Sequence, residues 1–169
     1  MLRLFIKTLK TGLVTERIKR PEVDALEPLG IEVKRQIDKR FSGSIAIRAV
    51  DAGSCNGCEL EIHALNNPIY DVERFGIHFV ASPRHADVLL VTGPVSRHMQ
   101  TALLRTYEAT PNPKWVVAVG DCAACGGEFG VSYASCGAVE NVIPVDLVIK
   151  GCPPTPETLV KGLLSLMAK

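Results

Sequence analysis

The chain has 169 residues, of which 47% are hydrophobic and 22% charged, and its formal net charge is +1. Such a chain is long enough to bury the core of one domain, and the nearly neutral charge gives no reason to expect nucleic-acid binding. No apolar run approaches the roughly 20 residues that a membrane-spanning helix needs. The sequence is therefore not expected to cross a bilayer.

The first part of the chain is basic, since residues 1–40 hold ten Lys and Arg against six Asp and Glu. In "MLRLFIKTLKTGLV" the apolar residues recur near helical spacing between cations, which predicts an amphipathic helix on lipid, on a partner or on the protein's own surface. The segment lacks the continuous apolar stretch of an export signal, so export is not expected. The prolines and acids of "KRPEVDALEPLG" predict a linker. We interpret residues 1–43 as an N-terminal extension and linker, and residues 44–169 as the folded domain.

From residue 44 onward, short β-type runs alternate with helical segments. The predicted strands are "SIAIRAV" (44–50), "GIHFVA" (76–81), "DVLLVTG" (87–93), "WVVAVG" (115–120) and "VDLVIKG" (145–151). Several are apolar throughout, which is typical of parallel strands covered on both faces. We therefore predict an α/β fold with a doubly wound, mainly parallel sheet of flavodoxin-like order, preceded by the basic extension.

Two helices are predicted within this domain. The segment "PVSRHMQTALLRTYEAT" (94–110) should form a crossover helix with Pro94 in its first turn. A closing helix should begin after Thr155, which can cap it, with Pro156 at the first helical position. Its apolar face is formed by leucines at helical spacing: Leu159, Leu163 and Leu166.

Cysteines follow three of the predicted strands. Cys55 and Cys58 come after the first strand, Cys122 and Cys125 after the fourth, and Cys152 after the fifth. Because the carboxyl ends of parallel strands meet at one edge of a sheet, these thiols are expected to converge there. In a chain that is not exported, six cysteines indicate metal or redox chemistry more than a disulfide scaffold.

Two sets of four thiols are possible, and the cysteine count alone does not choose between them. A structural zinc site would use the two C-x-x-C pairs, which end at Cys58 and Cys125, whereas an iron–sulfur cluster would replace Cys125 with Cys152. The proline after Cys152 and the glycines around the thiols favour the cluster, since a backbone without Cβ can approach a bulky inorganic group. A dithiol redox pair and plain buried thiols remain alternatives.

Four motifs carry a family resemblance: "SCNGCELEI", "ASPRHADVLLVTGPVSRHM", "AVGDCAACGGEFG" and "VIPVDLVIKGCPPTPETLVKGLL". Over about residues 44–165 the chain resembles the small-subunit family shared by energy-converting NiFe hydrogenases, including formate hydrogenlyase, and by the 20 kDa subunit of complex I. The resemblance implies one 4Fe-4S cluster in a flavodoxin-like domain. Its implied ligands are Cys55, Cys58, Cys122 and Cys152, whereas Cys125 and Cys136 match no ligand position.

The spacing of the first two ligands bears on the branch of this family. Complex I members typically carry two adjacent cysteines there, whereas Cys55 and Cys58 are separated by two residues as in the hydrogenases. The resemblance therefore implies an oxidoreductase subunit that relays electrons, with no catalytic residues of its own, while a NiFe large subunit evolves or oxidises dihydrogen. Further implied partners are a ferredoxin-like iron–sulfur subunit and membrane-embedded subunits, which would place the chain peripherally on the cytoplasmic face of the membrane. The alternatives are a complex I-like quinone oxidoreductase subunit and a zinc-stabilised binding module.

Overall fold

The computed structural model describes residues 6–7, 10, 26–41 and 43–168. Short 3₁₀ turns connect several of the main elements. In chain order these elements are α1 (Leu26–Arg40), β1 (Ile45–Asp51), α2 (Gly57–Ala64), β2 (Ile77–Phe79), β3 (Val88–Thr92), α3 (Arg97–Ala109), β4 (Trp115–Val119), α4 (Asp121–Cys125), β5 (Leu147–Ile149) and α5 (Pro156–Ala168).

The five strands form one sheet in the order β2-β1-β3-β4-β5, and every neighbouring pair is parallel. This order confirms the predicted doubly wound, flavodoxin-like fold. The two edge strands, β2 and β5, have three residues each, fewer than the sequence pattern predicts. An edge strand has a hydrogen-bonding neighbour on one side only, so its outer residues leave the ladder more easily.

Both faces of the sheet are buried, which explains the uninterrupted apolar strands. In β3, Val88 and Leu90 belong to one core with residues of α1, α2 and α5. The alternate residues Leu89 and Val91 belong to a second core with residues of α3 and α4. Because side chains alternate along a strand, each central strand contributes to both cores.

The crossover helix begins later than the sequence predicts. α3 starts at Arg97, with Ser96 as its N-cap, and the Ser96 hydroxyl accepts a hydrogen bond from the Met99 amide at 3.2 Å. Pro94 therefore lies outside the helix. The cause is nonlocal, because the Val95 amide donates to the Gly137 carbonyl at 2.8 Å and holds this segment extended.

The closing helix α5 agrees with its prediction. It begins at Pro156, and the Thr155 hydroxyl accepts a hydrogen bond from the Thr158 amide at 3.3 Å. The predicted apolar face is buried in the first core, through Leu159, Leu163 and Leu166. The helix therefore closes one face of the sheet.

Part of the N-terminal region packs onto the domain. Residues 26–30 of the predicted linker form the start of α1 instead, and Val33 and Ile37 on this helix are fully buried in the first core. The rest of the linker lies outside the described residues. In the predicted amphipathic segment, only Ile6, Lys7 and Lys10 are described, and they are helical. The division of the chain at residue 43 stays a prediction.

Among the described residues, no helix combines the length and the apolar character needed to cross a membrane.

Candidate functional site

The cysteines lie at the carboxyl ends of three strands, as the sequence predicts. Cys55 is in the loop after β1, and Cys58 lies in the first turn of α2. Cys122 lies in α4, directly after β4, and Cys152 lies in the loop between β5 and α5. Because β1, β3, β4 and β5 are consecutive neighbours in the sheet, their loops meet at one edge.

Four of the cysteines surround one cavity of about 130 Å³, which we call the cysteine cavity. Its lining consists of small residues, one carboxylate and the four thiols: Ser54, Cys55, Gly57, Cys58, Gly93, Asp121, Cys122, Gly151, Cys152 and Pro153. The structure therefore brings together the four residues predicted as cluster ligands. None of the four forms a disulfide.

The other two cysteines lie outside this lining. Cys125 is exposed at the end of α4, where its Sγ donates to the Asp121 carbonyl at 3.1 Å. Cys136 is buried in the second core, with 7% of its surface exposed. The set of four that surrounds the cavity thus contains Cys152 and lacks Cys125, as in the cluster alternative drawn from the sequence.

The pKa values of two cavity thiols are raised by burial and by the charges of the neighbouring thiols. Burial, and after it the negative charges of Glu59 and of the three other cavity thiols, together raise the pKa of Cys58 to about 11. Burial also raises the pKa of Cys122, followed by the charges of Cys152 and Cys55. Thiolates crowded in this way repel one another, so a positively charged group between them would stabilise the deprotonated set.

Two glycines allow the backbone to approach the sulfurs closely. A Cβ atom at Gly120 would lie 2.6 Å from the Cys58 Sγ, and a Cβ at Gly127 would lie 2.6 Å from the Cys122 Sγ. Both glycines have positive φ angles, of 87° and 55°. Larger residues would therefore displace the thiols, and only glycine lets the backbone pass this close to them.

Hydrogen bonds tie the loops of the cavity together. The Gly151 amide donates to Asp121 Oδ1 at 3.0 Å, and the Asp121 amide donates to the Gly151 carbonyl at 3.0 Å. In the loop after β1, Asp51 Oδ1 accepts from the amides of Gly53 and Ser54, both at 2.8 Å. The thiol positions therefore depend on hydrogen-bonded loops as well as on the strands.

The carboxylate of Glu59 is held by two hydroxyl groups, a contact that sequence reasoning did not identify. Ser54 Oγ donates to Glu59 Oε2 at 2.5 Å, and Thr92 Oγ1 donates to the other carboxylate oxygen. Glu59 also lies in the first turn of α2, where its charge suits the helix dipole. The sequence supports the dipole interpretation, but it contains no signal that pairs this residue with Thr92, 33 positions away.

A larger cavity of about 360 Å³ is lined in part by Glu59 and Thr92. Arg48, His63 and Asn66 are among its lining residues. The Nε of Arg48 is buried and has no hydrogen-bond partner among the described residues. Glu59 and Thr92 line this larger cavity, whereas Ser54, to which Glu59 is hydrogen-bonded, lines the cysteine cavity.

The donor set and the shape of the cysteine cavity fit a 4Fe-4S cluster, because four thiolates are the usual shell of such a cluster. The close glycine backbone at Gly120 and Gly127 leaves room beside the sulfurs. In the part of the chain that the structure describes, no group of three or more His, Cys, Asp and Glu side chains is arranged to hold a single metal ion.

Comparison with known proteins decides the family. A family model described as "NADH ubiquinone oxidoreductase, 20 Kd subunit" matches residues 55–166. The chain belongs to this 20 kDa subunit family. The matched range begins at Cys55 and contains all four cysteines of the cavity. The resemblance stated from the sequence motifs is therefore confirmed.

Individual members of the 20 kDa subunit family support this assignment. "Formate hydrogenlyase subunit 7" of Escherichia coli is 45% identical over 130 residues, which cover 77% of this chain and 51% of that protein. The chain thus spans about half the length of that relative. "Probable membrane-bound hydrogenase subunit mbhJ" of Pyrococcus furiosus is 47% identical over 134 residues, covering 79% of this chain and 80% of that protein.

A solved structure agrees with the fold. A chain in the structure of the membrane-bound sulfane sulfur reductase (MBS), an archaeal respiratory membrane complex, superposes with a TM-score of 0.65 at 38% identity. The superposition covers 74% of this chain and 69% of that chain. Proteins similar to this chain are thus named as subunits of a formate hydrogenlyase and of a probable membrane-bound hydrogenase, and a similar chain occurs in the structure of an archaeal respiratory membrane complex.

Proposed function

We propose that the chain is an electron-transfer subunit that carries one 4Fe-4S cluster on Cys55, Cys58, Cys122 and Cys152. The observation that carries this proposal is that these four thiols line one cavity, while the exposed Cys125 lies outside it. When bound, such a cluster supplies one-electron transfer. The protein residues position the four thiols and provide backbone and carboxylate groups around the cavity.

The proposed partners are a NiFe large subunit that oxidises or evolves dihydrogen, a ferredoxin-like iron–sulfur subunit and membrane-embedded subunits. The similarity to hydrogenase subunits from two organisms supports this assignment. The C-x-x-C spacing of Cys55 and Cys58 also favours the hydrogenase branch. The proposal places the chain peripherally on the cytoplasmic face of the membrane, with catalysis in the partner.

The ligand set is tested by anaerobic purification of the full chain and by measuring iron and acid-labile sulfide per chain. Separate Cys→Ser substitutions at the four cavity positions should each lower the content of both. Cys125→Ser is the matched control, because it changes a thiol on α4 that does not line the cavity. Wild-type protein without iron and sulfide would refute the proposal. Bound zinc that is lost in Cys125→Ser and kept in Cys152→Ser would establish the zinc-stabilised module instead.

The equivalent subunit of a complex I-like quinone oxidoreductase is the second candidate, because the matching family is described by that complex. The two candidates differ in the metal content of the partner. Purification of the complex through this chain should yield stoichiometric nickel in the large subunit if the hydrogenase assignment is right. An iron–sulfur complex that lacks nickel and reduces quinone would favour the second candidate.

A further inference from the structure

Two carboxylates, those of Glu59 and Asp121, lie beside the cysteine cavity. In the described part of the chain, neither Glu59 nor Asp121 forms an ion pair. Resting on the proposed function, we propose that Glu59 and Asp121 lower the reduction potential of the cluster held by the cysteine cavity. Both act through their fixed negative charge, and neither contributes a ligand.

Asp121 lies directly on the cavity. In the sequence it stands between Gly120 and Cys122. It is one of the residues that line the cavity, and it is half-buried. The Gly151 amide donates to its Oδ1 at 3.0 Å, which orients the carboxylate toward the loop of Cys152. The negative charge of Asp121 is therefore held next to two of the four sulfur-bearing residues.

Glu59 follows Cys58 directly and is also half-buried. Its two carboxylate oxygens accept hydrogen bonds from Ser54 and Thr92, and the side chain of Thr92 is 1% exposed. Both hydroxyls hold the carboxylate in place but bring no positive charge. Arg48 and Glu59 line the same larger cavity, yet no hydrogen bond or ion pair joins these two side chains among the described residues.

The two charges act on the sulfurs electrostatically. Reduction adds one negative charge to the cluster, and a nearby carboxylate makes this addition less favourable, which lowers the potential. Asp121 lines the cysteine cavity itself, and Glu59 is hydrogen-bonded to Ser54, which also lines it. Both carboxylates therefore lie close to the sulfurs.

The test is a redox titration of the full chain, purified anaerobically with its cluster and followed by the EPR signal of the reduced state. Asp121→Asn removes the charge and keeps an oxygen that can accept the hydrogen bond from the Gly151 amide. Glu59→Gln removes the charge and keeps one oxygen, which can accept from one of the two hydroxyls, while its NH2 group can donate to the oxygen of the other. Each substitution should raise the ratio of reduced to oxidised cluster at a fixed potential by about tenfold, which is about 59 mV for a one-electron couple.

Glu61→Gln is the matched control. It makes the same chemical change on α2, two residues beyond Glu59, and Glu61 lines neither the cysteine cavity nor the larger cavity. A shift in Glu59→Gln and Asp121→Asn that exceeds the shift in Glu61→Gln supports the proposal. Shifts no larger than that of the control overturn it.

Iron and sulfide content separates this inference from the proposed function. Wild-type protein that never holds a cluster would defeat the proposed function itself. Wild-type protein with a cluster, alongside Glu59→Gln and Asp121→Asn variants that both lose theirs, would overturn the inference alone. In that case the carboxylates would hold the loops in place and would not set the potential.

Discussion

Asp121 and Gly151 are joined by two hydrogen bonds across the cysteine cavity. The Gly151 amide donates to the Asp121 carboxylate at 3.0 Å, and the Asp121 amide donates to the Gly151 carbonyl at the same distance. These bonds connect the start of α4, which carries Cys122, to the loop of Cys152, and the two bonded residues are 30 positions apart in the chain. The relative position of the two thiols therefore depends on a single acidic side chain and on main-chain pairing.

The first prediction concerns this connection. Asp121→Ala should lower the free energy of unfolding of the metal-free chain by about 1 kcal/mol, because the Gly151 amide loses its side-chain acceptor. It should also reduce cluster content, since the loop of Cys152 is then held less firmly. Urea denaturation and iron analysis measure the two effects. Asp121→Asn keeps an oxygen acceptor and should retain its cluster, so equal iron loss in both variants would contradict the prediction.

The second prediction compares two glycines of the loop after α4. In Gly127→Ala the new Cβ would lie 2.6 Å from the Cys122 Sγ, whereas in Gly130→Ala it would meet no atom within 4 Å. Both glycines have positive φ angles, of 55° and 51°, and Gly130 has a ψ angle of -152°, so an alanine strains the backbone at either position, but only at Gly127 does it also meet a thiol. Gly127→Ala should therefore lose cluster iron while Gly130→Ala keeps it. Equal iron content in the two variants would show that Cys122 can move without consequence.

The third prediction follows from the raised pKa of Cys58. Burial and neighbouring negative charges raise this pKa from 9.0 to about 11 in the folded, metal-free chain. Between these two pH values the folded state keeps a proton that the unfolded state has lost, so the free energy of unfolding should fall as pH rises through this window. Below pH 9 both states are protonated, and Cys58 contributes no pH dependence.

Urea denaturation of the metal-free, reduced chain at a series of pH values measures this effect. Cys58→Ser is the comparison variant, because a serine hydroxyl does not titrate in this range. The fall in stability should be shallower in Cys58→Ser than in wild type, and some slope should remain because the pKa of Cys122 is also raised. Identical slopes in the two proteins would contradict the assignment to Cys58.

The fourth prediction tests how firmly α1 belongs to the folded domain. Ile37 is fully buried on this helix, whereas Ile31 on the same helix is 59% exposed. Ile37→Ala should lower the free energy of unfolding by about 2–5 kcal/mol, and Ile31→Ala by less than about 0.5 kcal/mol. Chemical denaturation measures both. A negligible effect of Ile37→Ala would favour the division at residue 43, with α1 outside the domain.

The amino-acid sequence by itself determined the order of strands and helices and the edge of the sheet where the cysteines lie. The apolar strands predict a sheet buried on both faces, and parallel strands bring their carboxyl ends to one edge. Cys55, Cys58, Cys122 and Cys152 each follow such a strand, so their convergence was predictable from local pattern and topology. The family motifs identified the same four residues.

Only the tertiary structure decided which residues meet around that edge. Hydrogen bonds join Glu59 to Thr92 and Asp121 to Gly151, which are distant in the chain. Contacts between distant segments also set the start of α3 at Arg97 and bury Ile37 in the first core. Such pairings depend on strand register and on how loops fold against one another, and no local propensity encodes them. The sequence therefore indicates the thiols, whereas the packed loops determine the charges and hydrogen bonds around them.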